Sequence, residues 1–238
     1  MRRISKKKRG KSFIFPIIAL FSISLCAVLA MLLVGGSDSL YYLSQLNFVP
    51  DEKTVCIDPG HGGDDTGAIG ENGKRLEKDD NLRLSLLVRD ILTERGYTVV
   101  MTRDSDTTVS LEERCKIANK ARASLFVAIH RNSAVSGKGM EMWIHSSQPT
   151  DDMLLAENIL DNLMTVGISA SRGIHSGYRE GENLNYYINR NTKMPSCLAE
   201  IGFVTSDEDN KDFDEKLTEY ATAIADGIEM TLLEMNGE

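Results

Sequence analysis

The 238-residue sequence has no CxxC pair and only four cysteines, so the usual basis for a thiolate metal site is missing. It shows no internal repeat and no low-complexity tract outside its N-terminal tail, which excludes a repetitive polymer-binding array. The first 12 residues lack acidic side chains altogether. They carry Arg2, Arg3, Lys6, Lys7, Lys8, Arg9 and Lys11 instead. Seven of the 27 basic residues therefore sit in this tail, leaving 20 against 35 acidic ones, a net charge of −15 for the remainder. An acidic body on a basic stalk does not suit nucleic acid.

Phe13 to Val34 contains no charge. As a helix its 22 residues would extend about 33 Å, the thickness of a bilayer's hydrocarbon core. The basic residues before it place the N-terminus in the cytoplasm and the body outside. Two readings compete, a retained signal-anchor and a cleaved signal peptide. The length favours the anchor, because a signal core is usually about 7–15 residues, although Val28-Leu29-Ala30 resembles a cleavage site. Cys26 follows Leu25 rather than a small residue, which disfavours a lipoprotein. The expected organisation is a basic tail (1–12), a transmembrane signal-anchor (13–34), a linker (35–53) and one soluble domain (54–236).

From Thr54 onward, strand-like and helical patterns alternate. Thr54–Asp58, Tyr97–Thr102, Leu125–His130, Met140–His145 and Cys197–Phe203 read as strands. Glu77–Arg95, Ser110–Ala123, Asp151–Val166 and Asp207–Glu234 read as helices, the second opening on the capping signature Ser-Leu-Glu-Glu. Runs such as LFVAI, apolar on both faces, suit buried parallel strands. The expectation is one α/β domain with a mostly parallel sheet and helices on both faces. Cys56, Cys115 and Cys197 read as buried thiols, with a Cys56–Cys197 bridge between neighbouring strands as the alternative.

In such sheets, ligands bind beyond the carboxyl ends of the strands. His61 follows TVCIDPG, His130 closes LFVAIH, and Glu200 lies within SCLAEIGF. Glu77 opens the first long helix, where the helix dipole favours a carboxylate. Each alone has an ordinary structural explanation, but Glu200 in an apolar strand needs a partner or a cation. The loop Gly60-His61-Gly62-Gly63 fits neither G-x-G-x-x-G nor a calcium loop, and Asp58, Asp64 and Asp65 would repel a phosphate. Two imidazoles and a carboxylate make a zinc set with one open position. The glycines would let the backbone turn sharply and leave space for a bulky substrate. His145 and His175 read as structural or surface residues, and Arg114 as half of an ion pair.

The blocks IDPGHGGDDTGAIG, LEKDDNL, MTRDSD, SLEERCKIANKA, LFVAIHRN, GKGMEMWIH, SRGI and NTKMPSCLAEIGFVTSDEDN occur in the order seen in a known family. Together they resemble the zinc-dependent N-acetylmuramoyl-L-alanine amidases of the type-3 class, across Val55 to Leu233. The resemblance implies a sheet of about six strands, Zn2+ held by His61, Glu77 and His130, and Glu200 as the catalytic carboxylate. It implies peptidoglycan as substrate, cut between N-acetylmuramic acid and L-alanine of the stem peptide. Asn132 and Arg103 are expected to support substrate or ligands.

Two positions depart from the family pattern: Arg131 stands where a small or apolar residue is usual, and Val204-Thr205-Ser206 replaces Ile-Ser-Asn. The short stretch from His130 to Arg172 leaves no room for the inserted inhibitory helix of some members. The anchored, repeat-free architecture resembles sporulation and germination amidases, and equally suits a vegetative wall hydrolase with or without an activating partner. A zinc peptidase and a non-catalytic wall-binding protein are the alternative functions.

Overall fold

A computed structural model describes residues 48–70, 73–178 and 184–237. The expected tail and membrane segment lie outside the described residues. Among those described, no helix is long and apolar enough to cross a membrane. The chain runs β1 (Asp51–Pro59), α1 (Glu77–Glu94), β2 (Thr98–Met101), α2 (Leu111–Ala121), β3 (Ala123–Asn132) and β4 (Met140–Ile144). It continues α3 (Thr150–Val166), β5 (Ser171–Ser176), α4 (Tyr187–Asn191), β6 (Ser196–Phe203), α5 (Asp207–Glu215) and α6 (Leu217–Asn236).

The six strands form one sheet in the order β2-β1-β3-β6-β4-β5. Pairing is parallel except between β4 and β6, so β4 and β5 run against the other four. Alternate residues of the central strands feed two cores. Val55, Ile57, Leu125, Val127, Ile129 and Cys197 pack toward α1, α3 and α6, while Cys56, Phe126, Ala128 and Leu198 pack toward α2 and α4. Helices on both faces follow from strands that are apolar on both faces. Truncating one of these buried aliphatic side chains to alanine costs about 2–5 kcal/mol.

All three cysteines described are buried and free. A Cys56–Cys197 bridge is excluded, because β3 lies between their strands and the two thiols belong to opposite cores. Two further expectations are corrected. The pattern expected as one helix from Asp207 to Glu234 is two helices meeting at Lys216, and β5 was not expected from its sequence.

The strand order reverses at β1, whose chain goes first to β2 on one side and then to β3 on the other. Crevices at such reversals are where α/β sheets bind ligands. His61 follows β1, and His130 lies near the carboxyl end of β3.

Candidate active site

The His61 loop is held from beneath by two arginines. Arg114 pairs with Asp58 at 2.7 Å and donates to the carbonyls of Pro59 and His61, both at 2.7 Å. Arg103 donates to Pro59, Gly60 and Lys78 carbonyls at 2.8–2.9 Å and is buried. Burial and the neighbouring Arg114 charge lower the Arg103 pKa from its ordinary value. Arg114 thus forms the expected ion pair, and Arg103 braces the loop.

His61 itself is left-handed, with φ 59°. Its Nδ1 lies 2.8 Å from the Asp65 carboxylate, which fixes the tautomer and turns Nε2 inward to 3.2 Å from Glu77 Oε1. His130 Nδ1 lies 2.9 Å from the same oxygen, and the two imidazoles meet edge to face at 5.0 Å. The Arg131 amide also donates to Glu77 Oε1 at 3.2 Å, and the Ala68 amide holds Oε2 at 2.9 Å. Burial alone would lower the His61 pKa, but Glu77 and Asp65 outweigh it and raise it to about 9. Burial would likewise raise Glu77, yet hydrogen bonds from both imidazoles hold its carboxyl far below the usual carboxylate range.

One ligand atom from each of His61, Glu77 and His130 lies within 4.8 Å of the others. The separations of 2.9 and 3.2 Å to Glu77 fit a tetrahedral zinc set, whose bonds of about 2.0 Å imply ligand edges of about 3.3 Å. The sharp turn expected of the glycines is there, with positive φ at Gly62, Gly63 and Gly67, and two glycines have a further role. A Cβ at Gly60 would collide with the His130 ring, and one at Gly67, where φ is 62°, with Glu77 and His61. At these two positions the missing side chain makes room for the cluster itself rather than for substrate.

Glu200 pairs in register with His130 across β3 and β6, so the two side chains share a face. It is 2 % exposed and lines the same cavity of about 770 Å³ as the cluster, together with Val109, Leu111, Tyr186 and Tyr187. Asn132 donates to Glu141, one strand beyond Glu200, at 2.8 Å. The departure at Arg131 has a structural explanation: its side chain enters the opposite face, pairs with Asp80 at 2.6 Å and lies 4.3 Å from the Phe213 ring centre. Burial lowers its pKa to about 10, against the pull of Asp80.

The structure therefore brings together the four residues singled out in the sequence. Sequence reasoning missed Asp65 as the orienter of His61. It also missed Glu141, although a lone carboxylate in the apolar strand MEMWI is the signal that marked Glu200.

Two imidazoles and a carboxylate at the reversal of an α/β sheet, with a second carboxylate buried alongside, define a candidate metallohydrolase centre. The chain belongs to the N-acetylmuramoyl-L-alanine amidase family, whose profile (Amidase_3) matches residues 55–230. It is 40% identical over 181 residues to the uncharacterized protein YqiI of Bacillus subtilis (strain 168), covering 74% of this chain and 84% of that one. The germination-specific N-acetylmuramoyl-L-alanine amidase of the same organism is 33% identical over 171 residues, 65% of this chain and 68% of that one. The solved structure of the N-acetylmuramoyl-L-alanine amidase AmiC2 of Nostoc punctiforme superimposes with a TM-score of 0.68 at 35% identity, covering 77% of this chain and 99% of that one.

Proposed function

We propose that this chain hydrolyses the amide between N-acetylmuramic acid and L-alanine in peptidoglycan, in remodelling of cell wall or spore cortex. The observation that carries the reading is the convergence of His61, Glu77 and His130 with Glu200 one strand away on the same face. His61, Glu77 and His130 would hold Zn2+. Bound there, the ion supplies Lewis acidity and lowers the pKa of water toward about 7. Glu200 takes a proton from the attacking water and returns it to the departing L-alanine nitrogen. Its apolar strand keeps bulk water away from that proton. Asp65 keeps His61 in the ligating tautomer, and Arg103 and Arg114 keep the loop in place. The charge-free run 13–34 is proposed as a single-pass anchor that places the domain outside the cytoplasm.

Digestion of purified peptidoglycan tests the reading. Free L-alanyl stem peptides are expected from the wild type, with activity abolished by a chelator and restored by zinc. Glu200→Gln should lose about 10²–10⁴-fold in rate with its fold retained. Cleaved peptide bonds within the stem would support the peptidase alternative, and no product at all the wall-binding one. Release of stem peptides after complete chelation would remove the metal from the proposal.

A further inference from the structure

The sheet continues past Glu200 into a second cluster that the hydrolytic step does not use. Glu141 on β4 pairs in register with Glu200, so their side chains lie on one face. Glu141 is 5 % exposed and accepts from Asn132 at 2.8 Å, Trp143 Nε1 at 2.9 Å and Arg172 Nε at 2.6 Å. His175 Nε2 stands 3.8 Å from the same carboxylate, and its ring lies over Trp143 at 4.8 Å. The Arg172 guanidinium also lies over Phe203, 5.2 Å from the ring centre. Arg172 and His175 are nonetheless 44% and 40% exposed along their side chains. A guanidinium carries five donors in a planar fork, and the Nε contact with Glu141 leaves others for a ligand.

We propose that Arg172 and His175, set by Glu141, form a subsite for a carboxylate on the peptide side of the scissile amide. This deepens the amidase reading and rests on it. Arg172 lies on β5, two strands from Glu200, or about 10 Å at ordinary strand spacing. Two extended residues span about 7 Å, so a side-chain or α-carboxylate on the second residue past the bond reaches it. Charge gives the direction. At the β1 end of the site the exposed Asp65 and Asp106 are already paired with His61 and Lys78, whereas at the β5 end Arg172 keeps guanidinium donors beyond its Glu141 contact. The aromatic and aliphatic wall of Tyr186, Tyr187 and Leu111 is left for the sugar.

Two synthetic muramoyl dipeptides, identical except that the second residue's α-carboxyl is free in one and amidated in the other, test the subsite. The wild type is expected to show a KM about tenfold lower for the free acid. Arg172→Gln should abolish that preference through KM, with kcat little changed, and Arg172→Lys should keep part of it. His175→Gln should weaken the preference without removing it. Equal KM values for the two peptides in the wild type would overturn the subsite, as would an unchanged ratio in folded Arg172→Gln. Cleavage of neither peptide by zinc-loaded wild type would instead overturn the amidase reading on which the subsite rests.

Discussion

His61 holds a left-handed backbone at φ 59°, which costs a non-glycine residue about 1–2 kcal/mol. The bonds that compensate are those that aim its ring: Asp65 on Nδ1 and Arg114 on its carbonyl. Asp65→Asn should therefore weaken zinc binding about 10–100-fold, measured by competition with a chromogenic chelator, while the fold persists. Unchanged affinity would mean that backbone geometry alone orients the imidazole. On the far side of β3, Arg131 joins the helix bearing Glu77 and Asp80 to the strand bearing His130. Arg131→Ala leaves Asp80 buried with Arg75 as its close partner and should cost about 3 kcal/mol in urea unfolding. A loss under 1 kcal/mol would reduce the pair to packing. At this scale the cluster was legible because strand ends and buried carboxylates leave a mark in sequence. Asp65 was not, since nothing in Asp64-Asp65 shows which carboxylate a glycine-rich loop turns inward.

The elements followed the periodic patterns where burial was strong. All five expected strands form: β1, β3, β4 and β6 are apolar runs inside the sheet, and β2, at one edge, still announces itself by the β-branched run TVVM. Strand β5 reads Ser-Arg-Gly-Ile-His-Ser and lies at the sheet edge, exposed at both its ends, so no apolar run announces it. The break at Lys216 has neither glycine nor proline; α5 is held instead by Asp209, which accepts from the Phe203 amide of β6, and by Phe213, which is buried in the core beside α1, a tertiary cause. Helix α3 carries a testable electrostatic feature in its first turn. Asp152 accepts from the Ser196 amide at 3.2 Å, but burial dominates and lifts its pKa from 3.8 to about 7. Between those values the folded protein holds a proton that the unfolded chain has released, so stability falls as pH rises from 3.8 to about 7 and levels off above. Asp152→Asn keeps a neutral side chain and should flatten that part of the profile. Urea unfolding of both proteins across this range isolates the difference, at most about 1.4 kcal/mol per pH unit. Parallel profiles would show that Asp152 is ionised throughout.

At the scale of the whole molecule, basic charge is gathered in the first 12 residues and the excess of acidic charge lies in the rest. The body, at −15, gains nothing from an anionic lipid surface, and the proposed hold on a membrane is residues 1–34, with their seven basic residues and charge-free run. Strand β1 begins at Asp51, tied by its amide to the Arg122 carbonyl at 2.7 Å, and Phe48 already packs against the α2-side core. Removing residues 1–47 should therefore leave the rate on soluble muropeptides within about twofold of the full chain, since every group in the proposed mechanism follows Asp58. The same deletion should move the protein from the membrane fraction to the soluble fraction after alkaline carbonate washing. If the full chain is itself soluble after that wash, the run has been cleaved and the signal-peptide reading replaces the anchor. If the shortened chain loses turnover while still folded, the N-terminal segment takes part in the site.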